Sequence, residues 1–217
     1  MKILFLSSLF IAFFSGCAGV GIVDTSNQYQ KLENATVLFE QQDRPLAAKR
    51  LILEVMTTCE EEKIHPRVGF LPGSCKKVTT TCEEAKASYC LAKAWETYGS
   101  LLQSESAKRW ASRQGESAFP ADRYDQSALY FGKAATAFDE LNNYGDAANA
   151  YLGQERVFEV AGRKVEACAA YLKTLDQYNL NNKAFLSEHP DAKPFVPRGY
   201  SSYADWIEAQ RKRVGCE

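Results

Sequence analysis

The chain has 217 residues, 46% of them apolar and 24% charged. Those fractions exclude wholesale disorder, and a body of this length can bury a real core in one domain without outside support. Lys and Arg number 26 and Asp and Glu 27, a net charge of −1 that argues against a nucleic-acid ligand, whose binders carry a basic excess.

At the start, Met1-Lys2 leads into twelve mostly apolar residues, Ile3 to Phe14, and then into the small residues Ser15, Gly16, Cys17, Ala18 and Gly19. Twelve helical residues span about 18 Å, short of the roughly 30 Å hydrocarbon layer, so the pattern predicts an export signal and not a transmembrane helix. Phe14-Ser15-Gly16-Cys17 resembles the lipobox of bacterial lipoproteins, with Phe14 standing where Leu is usual. The resemblance implies a signal of residues 1–16, cleavage before Cys17, lipid attachment at Cys17 and a short tether over 17–25. Ala18 after that Cys is similar to the outer-membrane sorting pattern, so the implied location is the outer membrane of a bacterial envelope, facing the periplasm or the surface. Ordinary signal cleavage near Ala18 or Gly19, which discards Cys17 and gives a soluble exported chain, stays open.

Six further Cys remain, at 59, 75, 82, 90, 168 and 216. An even number in an exported chain predicts three disulfides, although six Cys allow fifteen pairings. Position favours Cys168 with Cys216, pinning the last helix, and Cys59 with Cys90 around a nested Cys75–Cys82 pair. Zinc is disfavoured, because the spacings between successive Cys are long and only His65 is near.

The rest reads as helix after helix in a single domain over 26–217. In its N-terminal part (26–110), Tyr29, Leu32, Ala35, Thr36 and Phe39 share one face; Asp43-Arg44-Pro45 breaks the chain; Ala48, Leu51, Ile52, Val55 and Cys59 make the next stripe. Residues 63–81, with Pro66, Gly69, Pro72, Gly73 and a Thr run, predict a stapled loop, and Thr81-Cys82-Glu83-Glu84 predicts a capping box. Leu91, Trp95, Tyr98 and Leu102 follow on one face, in a helix running toward Trp110. Gly115 to Asp122, with Pro120, is a second break. Over 123–178 lie three helices with stripes at Ala128, Phe131, Ala135 and Phe138, then Ala147, Tyr151, Val157, Phe158 and Val160, then Val165, Cys168, Leu172 and Leu175. Residues 179–199 predict an irregular strap before a final helix with Tyr203, Trp206, Ile207 and Val214. No alternating strand pattern occurs, so the expected fold is all-α.

Gly145-Asp146-Ala147-Ala148-Asn149-Ala150-Tyr151 and Gly162 to Tyr171 share a plan: Gly in a turn, Ala at close-contact positions, Tyr a turn later. This resembles tetratricopeptide-type helical hairpins. Tyr151 and Tyr171 are 20 apart, against a family repeat of about 34, so they mark consecutive helices, and the family's first-helix Trp and closing Pro are missing. The resemblance implies an antiparallel array with a groove for a protein partner; an irregular α-bundle is the alternative.

No phosphate loop, nucleophile elbow or HExxH occurs, and no motif calls for a cofactor or a catalytic metal. His65 and His189 each precede a Pro, in extended contexts suited to a surface. Carboxylates are plentiful at Glu60 to Glu62, Glu83, Glu84, Asp122, Asp125, Asp139 and Glu140; a hydrolase would need a protonated and an ionised one held a few Å apart. Lys108, Arg109 and Arg113 read as part of a solvated face, and Arg211-Lys212-Arg213 as cations at a helix C-terminus. The sequence therefore favours a non-catalytic, membrane-anchored adaptor whose aromatic anchors could include Tyr124, Tyr130, Tyr144 and Tyr151. A cell-wall hydrolase with a carboxylate pair and a carrier with a closed apolar cavity are the alternatives.

Overall fold

The computed structural model describes residues 25–64, 76–114 and 118–216. Cys17, His65 and Cys75, and with them lipid attachment and the nested Cys75–Cys82 pair, lie outside the described residues or their described side chains. The described residues form eight helices and no strand: α1 (Thr25–Glu40), α2 (Pro45–Ile64), α3 (Lys76–Gln103), α4 (Glu105–Gln114), α5 (Arg123–Glu140), α6 (Tyr144–Val160), α7 (Lys164–Glu188) and α8 (Tyr203–Val214). None of these helices is long and apolar enough to cross a membrane.

The turns follow from a few residues. Asp43 adopts φ 50° and Pro45 opens α2, where its missing N–H costs nothing. Asn142 (φ 56°) ends α5, and the Asn143 N–H donates back to the Phe138 carbonyl at 2.8 Å. Gly162 (φ 71°) ends α6 in the same way, with Arg163 N–H on the Phe158 carbonyl, and Gly215 (φ 81°) ends α8 with Cys216 N–H on that of Arg211. In each case a left-handed residue lets the chain reverse while the last carbonyls keep a donor. The Asn143 side chain then caps α6, accepting from Asp146 N–H, and Ser202 caps α8, accepting from Asp205 N–H. With turns this short, α5, α6 and α7 pack as antiparallel neighbours, α5 also lies on α3, and α1, α2 and α3 form a second group.

That second group holds the larger core: Leu32, Ala35 and Phe39 meet Ile52, Val55 and Cys59, and these meet Cys90, Leu91, Tyr98, Leu101 and Leu102. The α5–α6 contact is built mainly of Ala134, Ala135, Ala147 and Ala150 around Phe138. Alanines bury little area each but let helix axes approach closely. The close approach is most pronounced at Phe131, whose ring lies between two glycines on neighbouring helices. A Cβ at Gly153 of α6 would fall 2.3 Å from Phe131 Cε1, and one at Gly99 of α3 would fall 3.0 Å from Cδ2. Ser127 Oγ, one turn before Phe131, donates to the Gly99 carbonyl at 2.7 Å.

Two disulfides staple the described helices. Cys59–Cys90 joins α2 to α3 inside the core, and Cys168–Cys216 joins α7 to the end of α8. With sequence separations of 31 and 48, chain-entropy reasoning assigns each about 4 kcal/mol against the unfolded chain.

Several boundaries differ from expectation. The loop expected over 63–81 is shorter, because α2 runs to Ile64 and α3 begins at Lys76, so Thr81 to Glu84 lie inside a helix and form no capping box. No Pro or Gly occurs between Lys76 and Tyr98, and the low helix propensity of Thr costs only a few tenths of a kcal/mol per residue. Ser104 separates α3 from α4: its hydroxyl accepts from Ala107 N–H at 3.1 Å and starts a new helix where one continuous helix was expected. At the other end α7 continues to Glu188, so the strap shrinks to the segment after it. The stripe Val165, Cys168, Leu172, Leu175 is not the core face of α7: Val165 is 79% exposed and Leu172 is exposed, whereas Ala167, Ala170, Tyr171 and Thr174 are buried.

Candidate functional site: an open groove over α5

Helix α5 has two faces. Ser127, Ala128, Phe131, Ala134, Ala135 and Phe138 are buried. One position further round, Leu129, Gly132, Lys133, Thr136, Ala137 and Glu140 recur at helical spacing and form the floor of an open groove of about 560 Å³. Trp95 from α3 supplies one wall, Tyr151 and Gln154 from α6 the other, and Lys63 of α2 and Lys173 of α7 stand at its edges. Leu129 is an apolar side chain left 55% exposed.

The walls are held by specific contacts. Gln154 Nε2 crosses Gly132 to donate to the Ala128 carbonyl at 2.9 Å; a Cβ at Gly132 would lie 2.8 Å from that nitrogen, so glycine there keeps the crossing open. Lys133 Nζ sits 5.7 Å from the Trp95 ring centre and 5.3 Å from that of Tyr130, and Lys173 Nζ sits 5.3 Å from the Tyr151 ring. Each ammonium is thus held over an aromatic face, which keeps the charge ordered without neutralising it. Burial and the nearby Asp139 carboxylate push the Tyr151 phenol up, against a hydrogen bond with Thr136, so it is a neutral phenol at physiological pH. Among the groove's described residues three lysines face one carboxylate, Glu140.

A carboxylate pair does exist, at positions the sequence reading did not single out. Glu155, 2% exposed on α6, has its pKa raised to about 7, chiefly by burial. Glu159, one turn on, is held below the ordinary range by the Arg213 guanidinium, which binds both its oxygens at 2.6 and 3.0 Å. Arg213 also donates to the Tyr171 hydroxyl at 3.2 Å, which is bonded in turn to Glu155. One member is sealed in and the other neutralised. The arrangement ties α6, α7 and α8 together, with one acid buried and the other taken up by a guanidinium.

The other sequence candidates scatter. Arg109 binds Asp43 at 2.8 Å, Ser106 Oγ adds a second bond at 2.8 Å, and Trp110 Nε1 donates to the Asp43 carbonyl; this set of contacts fixes the α1–α2 corner. Of the four tyrosines considered as anchors only Tyr151 lines the groove. Tyr130 packs edge-on against Tyr98, Tyr124 lies beside the Phe131–Val157 cluster, and the Tyr144 hydroxyl bonds Asn142 at the surface. His189 is exposed and tilted against Phe185. No group of three His, Cys, Asp or Glu able to hold a metal occurs among the described residues. Lys63, Lys133, Lys173, Leu129 and Gln154 were missed; the available signal was the second face of α5, where Leu129 and Ala137 interrupt what should be a polar surface.

The fold and the groove thus define an all-helical, disulfide-stapled protein with an open, lysine-edged trough. Set against protein-family models, curated proteins and solved structures, the chain matches none of them.

Proposed function

We propose that the protein is a non-catalytic adaptor of the bacterial cell envelope, anchored through a lipid on Cys17, that holds an extended segment of a partner protein in the groove over α5. The observation that supports this best is the shape and lining of that groove: an open trough with a half-exposed Leu129 and side chains from four further helices. A carrier would need a closed apolar cavity. The runner-up, a wall hydrolase, needs an accessible pair of acids, whereas in the Glu155–Glu159 pair the protonated member is buried and the ionised one is held by Arg213. The consecutive Ala- and Tyr-bearing helices α6 and α7 fit a tetratricopeptide-like mode of partner binding, in which stacked hairpins leave a concave surface.

The test has two arms. Mass measurement of the protein from its own host should show an acylated Cys17 at the mature N-terminus; an intact Met1 removes the envelope assignment. A photo-crosslinking residue at position 129 should trap one discrete envelope protein, whereas the same residue at exposed Val165 should not. Equal labelling from both positions, or none from 129, sinks the groove as the binding surface.

A further inference from the structure

We infer that the groove selects acidic polypeptide segments, ones that interleave Asp or Glu with apolar side chains. This rests on the reading of the groove as a protein-binding surface and names the chemistry of what enters it. Lys63, Lys133 and Lys173 come from three different helices and converge on one trough, whose described lining residues include one carboxylate, Glu140. The chain as a whole has a slight acidic excess, so a trough with a cationic majority is a local feature and not a reflection of composition. Lys133 and Lys173 are pre-ordered over Trp95, Tyr130 and Tyr151, and neither forms an ion pair with a described carboxylate, so an incoming carboxylate meets a charge already in place. Leu129 supplies an apolar contact in the same trough. Gln154 has committed its amide nitrogen to Ala128, which leaves its carbonyl oxygen as the acceptor available to a main-chain N–H.

An anionic glycan is the competing class. Sugars are held mainly by stacking on open aromatic faces, and here the faces of Trp95 and Tyr151 carry lysine ammonium groups instead.

The experiment is fluorescence anisotropy with the full chain, its disulfides intact, and three labelled peptides of equal length: alternating Glu and Leu, the same with Gln for Glu, and the same with Lys for Glu. The acidic peptide should bind about tenfold or more tightly than the other two, and weaken as salt shortens the screening length. Lys133→Glu and Lys173→Glu should each weaken it about three- to tenfold, the range for reversing a half-exposed ion pair, with unchanged thermal melts. Lys108→Glu, on α4 away from the groove, should leave it unchanged. Equal binding of acidic and neutral peptides overturns the inference while leaving the groove a peptide site. Displacement of the acidic peptide by oligogalacturonate at matched carboxylate concentration overturns it in favour of a glycan. Failure of all three peptides, together with an empty crosslink at position 129, removes the binding reading itself.

Discussion

Glu155 puts a pH dependence into the fold. In the unfolded chain it titrates near 4.5; in the folded state burial raises it to about 7, with Glu159 beside it opposing ionisation and Tyr171 and Arg213 favouring it. The titratable and charged groups facing it are Glu159 on its own helix, the neutral Tyr171 on α7 and Arg213 on α8, with Arg156 acting on Glu159. Between those two pH values the folded state holds a proton that the unfolded chain has released. This contribution to stability is therefore full below about 4.5, falls as pH rises, and is gone above about 7. Glu155→Gln keeps the shape and removes the ionisation, so it should stabilise by about 1–3 kcal/mol at pH 8 and by almost nothing at pH 4.5. Urea melts at the two pH values check this; a gain that is the same at both contradicts it.

Gly153 makes an equally local prediction. Alanine there gains up to about 1 kcal/mol in helix propensity but drives its methyl into the Phe131 ring, a clash of the kind that costs about 1–3 kcal/mol. The net effect should be a loss, and Phe131→Leu in the same chain should recover part of it. Additive losses in the double variant would mean that the two sites do not meet.

Among the elements, the two staples differ in access. Cys59 and Cys90 are buried beneath α1, α2 and α3, whereas Cys168 and Cys216 are only half-buried at the end of the stack. A phosphine reductant should therefore open Cys168–Cys216 first, and alkylation mapped by mass spectrometry should show Cys59–Cys90 persisting until the chain unfolds. Simultaneous opening would show that α8 and the α2–α3 core share one cooperative unit. After reduction, α8 is still held by Ile207, by the stacked rings of Tyr178 and Tyr203 at 4.0 Å and by Arg213, and the strap before it by Asn182, which bonds both the N–H and the carbonyl of Phe195.

The elements were also the most legible level in the sequence. Asn142-Asn143, Gly162 and Asp43-Arg44-Pro45 marked real turns because positive φ and a fixed proline ring admit few alternatives. Thr81 to Glu84 misled because a Thr followed by Glu looks the same in a helix start and a helix interior. On α7 two faces fit a period of 3.6 equally well, one through Val165 and Leu172 and one through Ala167, Ala170 and Thr174. Hydrophobicity favoured the first, whereas close packing against α6 chose the smaller residues.

For the whole molecule, the parity and placement of the cysteines carried the two described staples, and helical periodicity carried the all-α class. The groove was not legible. Its residues come from α2, α3, α5, α6 and α7 and adjoin only through the stacking of those helices. The pair Glu155–Glu159 hid for a related reason: its partner Arg213 lies 54 residues from Glu159.

Phe131 lodged between Gly99 and Gly153 has a consequence for the groove, since the same helix carries both the ring and the trough. Sliding α5 along either neighbour would bring a bulkier residue onto the ring, so the register admits a single setting. The α5 floor of the trough is then set by the packing of its opposite face. On the proposed reading, discrimination among guests would then rest on how well each fits that setting, and a poor fit would show itself as rapid departure.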